Sequence, residues 1–172
     1  GNLKRDLDNT DEAISYYKKS LSINPDIGPT LLNISICYQS LGNYTEAQNH
    51  LNYLLKLNPA FTIADRLLSS MKTYKKGDTH LLEMSKKVDK LMLSDIQLAN
   101  LFCALGKANE DLKQYKLSFN YYKKGNDILK KLTTFNINEE KENFSNIKNF
   151  DYRLNQDFKL NEKRKLVFIV GM

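Results

Sequence analysis

The sequence predicts an all-α repeat protein of the solenoid type. Its text repeats with a period of 34 residues, and apolar residues recur at helical spacing. Gly and Pro are scarce, with 7 and 3 copies in 172 residues. A chain of this length forms one domain, or a domain and a fragment of a second, without disulfide or metal support. We therefore expect stacked helical hairpins and, at the C-terminus, a short β-strand stub.

The period is defined by four residues that return 34 positions later: Asn9, Glu12, Ala13 and Pro25 recur as Asn43, Glu46, Ala47 and Pro59. Asn three residues before Glu has the spacing of a helix-capping box, small Ala permits close helix approach, and Pro ends the unit. This pattern resembles the tetratricopeptide repeat, a helix–turn–helix unit. The resemblance implies a right-handed solenoid.

The complete repeat is predicted to contain helices at about 29–41 and 44–57, separated by Gly42. After it the pattern weakens, and helices are expected at about 60–75 and 79–92. Ser94 is then expected to cap a helix that continues to Leu112. The Leu105-Gly106 pair of this last repeat lies 71 residues after its counterpart in the second, which is two periods plus three. A degenerate unit with a small insertion accounts for the difference.

These boundaries predict a repeat array over 1–132, composed of a partial repeat at 1–25, a full repeat at 26–59, a degenerate unit at 60–92 and a last repeat at 95–132. Residues 133–164 are expected to form a helix, at 139–150, and a connector. Residues 165–172 are expected to hold a strand, because 166–170 is β-branched and aromatic and ends at Gly171. A lone strand has no partner in a helical chain. We therefore expect a chain that is cut off at the first strand of a missing α/β domain.

Three stretches of text point to a more specific family: Ala104-Leu-Gly-Lys-Ala-Asn-Glu-Asp-Leu112, Gly125-Asn126 and Val167-Phe-Ile-Val-Gly-Met172, with Leu93-Ser-Asp95 and Asp65-Arg66 in agreement. On this text the chain resembles the tetratricopeptide-repeat sulfotransferases. In that family the strand runs into a Pro-Arg-Ser-Gly-Thr-Thr type loop that holds the phosphosulfate of 3′-phosphoadenosine-5′-phosphosulfate. The resemblance implies a sulfotransferase as the full-length parent. This chain stops before the loop, so we expect it to hold no cofactor and to be non-catalytic.

No arrangement for catalysis or metal binding stands out in the sequence. His50 and His80 lack a ligand set at metal-binding spacing, and Cys37 and Cys103 fall in different repeats. A Gly-rich phosphate loop and a Ser/His/Asp pattern are also missing from the text. We therefore expect no catalytic, cofactor-binding or metal-binding residues, and we interpret these His and Cys as packing or surface residues.

The functional surface is expected on the first helices of the repeats, which line the concave groove in such a stack. The candidate groove residues are Arg5, Gln39, Arg66, Tyr74, Lys107, Glu110 and Asp111. A mixed lining suits an extended peptide or a protein loop, with Arg and Lys to meet acidic side chains. Lys107, Glu110 and Asp111 belong to the family-like text, and they either bind, pair among themselves or contact the missing domain. The hypotheses are a substrate-docking module of a sulfotransferase and a free-standing adaptor that binds a peptide or partner protein.

Charge and hydropathy limit the other partners. The net charge is +6, but Lys supplies 22 of the 26 basic residues, and Arg, which contacts phosphate and guanine bidentately, supplies four. This balance disfavours nucleic acid and leaves an RNA-binding solenoid as a weaker third hypothesis. A mean hydropathy of −0.53 predicts no membrane span. Two isolated Cys and no signal pattern favour the cytoplasm. An exposed strand at 166–170 is expected to pair with a second copy.

Overall fold

The structure, a computed structural model, describes residues 1–7, 9–133 and 136–149, and every regular element in them is an α-helix. In chain order the helices are α1 Asn2–Asp6, α2 Thr10–Ile23, α3 Gly28–Ser40, α4 Tyr44–Leu57, α5 Thr62–Ser70, α6 Thr79–Lys90, α7 Asp95–Asp111, α8 Tyr115–Leu132 and α9 Ile137–Asn149. The predicted all-α fold is confirmed for this part of the chain. The predicted connector and strand, at 151–161 and 166–170, lie outside the described residues.

The helices fall into two units, Gly1–Thr134 and Phe135–Met172. In the first unit α1, α3, α5 and α7 are the first helices of successive hairpins, and α2, α4, α6 and α8 are the second helices. Each helix packs closely on the next one in sequence, except that α5 packs on α7 and stands off from α6. The described part of the second unit is α9, on which Phe144 and Ile147 are exposed.

Side-chain caps start most of the second helices. Asn9 and Asn43 each accept a hydrogen bond from the backbone N–H three residues on, at 3.3 and 3.4 Å, as the sequence spacing predicts. Asp78 caps α6 by accepting from two backbone N–H groups. Ser94 and Gln97 form a reciprocal capping box at the start of α7. These bonds satisfy donors that the first turn of a helix cannot pair internally.

Close approaches by tyrosine rings explain the glycine before α1 and the glycine within α7. A Cβ atom at Gly106 would lie 2.8 Å from the ring of Tyr122, and one at Gly1 would lie 2.3 Å from the ring of Tyr17. In both hairpins the aromatic ring follows its glycine by sixteen positions, so the contact repeats with the fold. The ring occupies the space that a side chain on the first helix would fill.

Helix α5, the first helix of the third hairpin, is shorter than predicted. Helix was expected over 60–75, whereas α5 ends at Ser70 and the backbone is irregular from there to Asp78. The reason is tertiary: the Tyr74 N–H donates to the Asp111 carboxylate at 2.9 Å, and the Lys72 carbonyl accepts from Lys107 Nζ at 3.0 Å. Side chains of α7 therefore replace the hydrogen bonds that another turn of helix would have made.

A residue with a left-handed backbone conformation directly precedes the N-cap residue of each of the helices α4, α6 and α8. The backbone φ is +74° at Gly42, +84° at Gly77 and +60° at Lys113. Glycine adopts this conformation without steric cost, whereas Lys113 brings its Cβ against the following carbonyl oxygen. The third turn therefore keeps a strain that the other two avoid.

Lys113→Gly is expected to raise the free energy of unfolding by about 0.5–1 kcal/mol. Relief of the left-handed strain is worth about 1–2 kcal/mol, and the added flexibility of the unfolded chain takes back about 0.4–1 kcal/mol. Urea unfolding followed by circular dichroism measures the change. Lys113→Ala is the matched control, since it removes the charge but keeps the Cβ. An equal gain from the Ala variant would show that the side chain, and not the backbone, is the cause.

Candidate functional site

Six of the seven predicted groove residues lie on the surface or at its edge, and three of them connect neighbouring first helices. The three hydrogen bonds run from Arg5 to Asn33 at 2.9 Å, from Gln39 to Ser70 at 3.1 Å and from Arg66 to Asn100 at 3.2 Å. We call the six residues that form these hydrogen bonds the first-helix ladder: Arg5, Asn33, Gln39, Ser70, Arg66 and Asn100. It shows that α1, α3, α5 and α7 present one common polar face, and that side-chain hydrogen bonds on that face, each with a neutral acceptor, join each helix to the next.

Lys107 and Asp111 hold the irregular segment between α5 and α6. Lys107 Nζ forms a salt bridge with Asp111, one turn further along α7, and donates to the Lys72 carbonyl. Asp111 in turn accepts from the Tyr74 N–H. The pairing expected as one alternative for these two residues is therefore observed, and both have a structural task. Their predicted role in ligand binding stays a prediction.

Glu110 has a different environment from its two neighbours. Its side chain is exposed, and its carboxylate accepts a hydrogen bond from the Tyr122 hydroxyl at 3.1 Å. Partial burial and this nearby carboxylate together raise the pKa of Tyr122 to about 12. Tyr122 is thus held as a neutral donor, and Glu110 keeps an open side toward solvent where it can meet a basic group.

Tyr74, predicted on the groove surface, lies in the core with a side chain that is 2% exposed. The prediction placed it on the groove-lining face of a continuing helix, but α5 ends at Ser70 and the ring of Tyr74 is buried in the irregular segment that follows. Its hydroxyl bonds to Ser69 Oγ and to His80 Nδ1, each at 2.7 Å. Burial raises the pKa of Tyr74 above its ordinary value, so this hydroxyl stays protonated.

Tyr74 belongs to a buried network that we call the Asp65 cluster: Asp65, Ser69, Tyr74, His80 and Lys87. Lys87 Nζ donates to both carboxylate oxygens of Asp65, at 2.7 and 2.8 Å, and His80 Nε2 lies 3.0 Å from one of them. The Asp65 side chain is completely buried, and Lys87 is 9% exposed. Among the described residues, no buried side-chain donor or acceptor lacks a partner. Such complete pairing is what lets charged groups stay inside a core.

The cluster occupies positions that are aliphatic or small in the preceding repeat. Asp65 stands 34 positions after the buried Leu31. On the second helices, the buried stripe of α4 ends at Leu54, and the corresponding stripe of α6 ends at Lys87. Motif analysis missed the cluster and left His80 as a packing or surface residue. The signal that finds it is a charged residue at a position that the period assigns to the core.

The environments of His80, Cys37 and His50 leave these side chains little reactivity. Both ring nitrogens of His80 are engaged, so the ring has no open position for a ligand. Burial raises the pKa of the Cys37 thiol, which keeps it protonated and a poor nucleophile. His50 stacks on Tyr38, and burial lowers its pKa. In the part of the chain that the structure describes, no group of three or more His, Cys, Asp or Glu is placed to hold a metal ion.

The comparisons with known proteins agree with this architecture. Residues 5–70 match the family described as "Tetratricopeptide repeat", which spans α2 to α5. A tetratricopeptide-type, all-helical solenoid is therefore the fold of the described repeat unit, and proteins of this kind serve in protein binding. Neither the family match nor the structural match described next indicates a sulfotransferase.

A solved structure titled "Crystal structure of MamA" is also similar, with 17% identity and a TM-score of 0.46, over 78% of this chain and 97% of that one. At this level the likeness carries no argument about function. No curated protein matches the sequence. None of the helices in the described residues has the length and apolar character needed to cross a membrane.

Lys87→Leu is expected to lower the free energy of unfolding by about 3 kcal/mol, because it leaves the Asp65 carboxylate buried without its cation. The double variant Asp65→Leu/Lys87→Leu is expected to recover more than half of that loss, since it restores the residue types of the preceding repeat. Urea unfolding measures both values. A single variant that unfolds like the wild type, or a double variant less stable than the single one, would contradict a buried ion pair at this place.

Proposed function

We propose that the repeat helices α1 to α8 together form a protein-interaction module that binds an extended polypeptide along the first-helix ladder. The observation that carries the proposal is the shared polar face of the first helices, on which Gln39 and Arg66 sit at successive steps of the stack. The match of residues 5–70 to the tetratricopeptide repeat supports the same function.

Arg66 is the side chain best suited to hold a ligand on this face. It is exposed, and its hydrogen-bond partner, Asn100, is neutral. One N–H of the guanidinium group is used in that bond, which leaves the rest of the planar donor fork for a carboxylate. The half-buried amide of Gln39 can pair with the backbone of a bound peptide. The ladder thus combines one charge contact with sequence-independent amide contacts, as suits an extended chain.

A finer form of the proposal makes this module the docking or substrate-presenting part of a sulfotransferase that uses 3′-phosphoadenosine-5′-phosphosulfate. It is supported by the sequence resemblance alone, which is most specific at 104–112, 125–126 and 167–172. In this form the chain itself is non-catalytic, and the cofactor belongs to a further domain. The alternative is a free-standing adaptor without an enzymatic parent. The gene sequence after the codon for Met172 distinguishes them, because only the first requires a phosphosulfate loop there.

Peptides selected by the wild-type chain from a displayed random library are expected to lose affinity by about tenfold on Arg66→Glu. The charge reversal turns attraction for a carboxylate into repulsion, which is worth about 1.4 kcal/mol. Fluorescence anisotropy with a selected peptide measures the ratio. Lys116→Glu, on the exposed side of α8, is the control with the same charge change. If both variants bind as the wild type does, or if no peptide is selected, the ladder is not the binding surface.

A further inference from the structure

A cleft of about 720 Å³ opens between α4 and α6, on the second helices and not on the first-helix ladder. It exists because α6 packs closely on α7 but not on α4 or α5. Leu68 and His80 are among its lining residues, and Leu55 of α4 and Leu91 after α6 line it with half-buried apolar side chains. The volume is in the range of specific ligand sites, and the lining combines apolar side chains with polar and charged ones.

The lining of the cleft is strongly basic. Five lysines line it against one carboxylate, that of Glu83. Lys72 and Lys87 are already neutralised, by Asp78 at 2.8 Å and by Asp65 at 2.7 Å. The other three, Lys56, Lys86 and Lys90, are exposed, and the described residues offer none of them an acidic partner within salt-bridge distance. Three uncompensated ammonium groups against one carboxylate therefore give the cleft a positive potential that attracts anions.

The lysines stand on both walls of the cleft and repel one another. Lys86 and Lys90 are one helical turn apart on α6, a spacing at which like charges destabilise a helix. Lys56 lies on α4, on the opposite wall. An anionic ligand seated between the walls would remove this repulsion and add attraction to it. The observed charge arrangement is therefore complementary to an acidic occupant.

The spacing favours a chain of carboxylates over a single compact anion. Lys86 and Lys90 are separated by about 6 Å along the helix axis. Alternate residues of an extended peptide lie about 6.6 Å apart and point to the same side, while the residues between them point to the other. Acidic residues at alternate positions of the peptide can thus meet these lysines, while the apolar residues at the intervening positions contact Leu55 and Leu91. Lysine, a point charge without the planar fork of arginine, suits such separate carboxylates.

We propose that the cleft between α4 and α6 binds an acidic segment of a partner protein in extended form, with carboxylates at alternate positions on Lys86 and Lys90. Lys56 meets the ligand from the α4 wall. The 12 residues of α6 form a wall about 18 Å long, enough for about five extended residues. The site is separate from the first-helix ladder, so one chain can hold two segments at once.

The test uses the full chain and a fluorescein-labelled peptide, Ser-Glu-Leu-Glu-Leu-Glu-Ser, in a fluorescence anisotropy titration. Lys86→Glu/Lys90→Glu is expected to weaken binding by about tenfold or more, because two attractions become repulsions. Lys75→Glu/Lys76→Glu is the matched control: it reverses two exposed lysines of the preceding loop, outside the cleft, and is expected to change binding by less than about twofold. Equal losses in the two variants would overturn the proposal, since they would show attraction to net charge alone.

Additional variants and competing ligands in the same titration distinguish the proposal from its alternatives. Lys56→Glu changes the opposite wall and is expected to weaken binding as well, so the result does not depend on α6 alone. The peptide with Gln in place of Glu is expected not to bind, and equal binding of it would overturn the role of the lysines. If inorganic tripolyphosphate displaces the peptide at a lower concentration than unlabelled peptide does, the cleft is a phosphate site and the peptide proposal fails. Lys56, Lys86 and Lys90 all lie outside the first-helix ladder, so the loss of binding in their variants tests the cleft and not the ladder.

Discussion

The position of α6 depends on the buried ion pair between Asp65 and Lys87. α5 and α6 do not pack closely, and the space between them is crossed by side chains long enough to span it: the Lys87 stem, the His80 ring and the Tyr74 ring. Because a buried charge tolerates few geometries, we expect the pair to fix one distance between the helices and to contribute to structural specificity more than to stability.

This constraint reaches both surfaces of the repeat unit. On one side, Tyr74 can enter the cluster only because α5 ends early, and the freed backbone is then held by Lys107 and Asp111 of α7. On the other side, His80 and Lys87 line the cleft while they bond to Asp65. The depth of the cleft and the hold of α7 on the irregular segment therefore depend on one buried carboxylate.

Much of this fold could be predicted from the sequence, and the exceptions have physical causes. The bounds of α4, its Asn cap and the turn at Gly42 follow from local signals, namely periodicity, cap spacing and a glycine. The end of α5 could not be predicted, because the groups that stop it are on α7, far along the chain. Tyr74 was placed on the wrong face for the same reason. Lys113 adopts the turn conformation of Gly42 without its residue type, so only the alignment of repeats indicates it.

The degeneracy of the third repeat and the separation of α5 from α6 have the same origin. In the second repeat, aliphatic Leu31 and Leu54 are buried, and α3 and α4 pack closely. The third repeat has Asp65 and Lys87 instead, and the polar side chains that satisfy these charges hold α6 away from α5. The same substitutions that obscure the period in the sequence thus separate the two helices of the third repeat, α5 and α6. A cleft of about 630 Å³ also lies between the second helices α2 and α4, but only one lysine, Lys18, lines it, against five in the cleft between α4 and α6. The departure of the third repeat from its pattern therefore does not create a site on the second helices, but gives that site its positive charge.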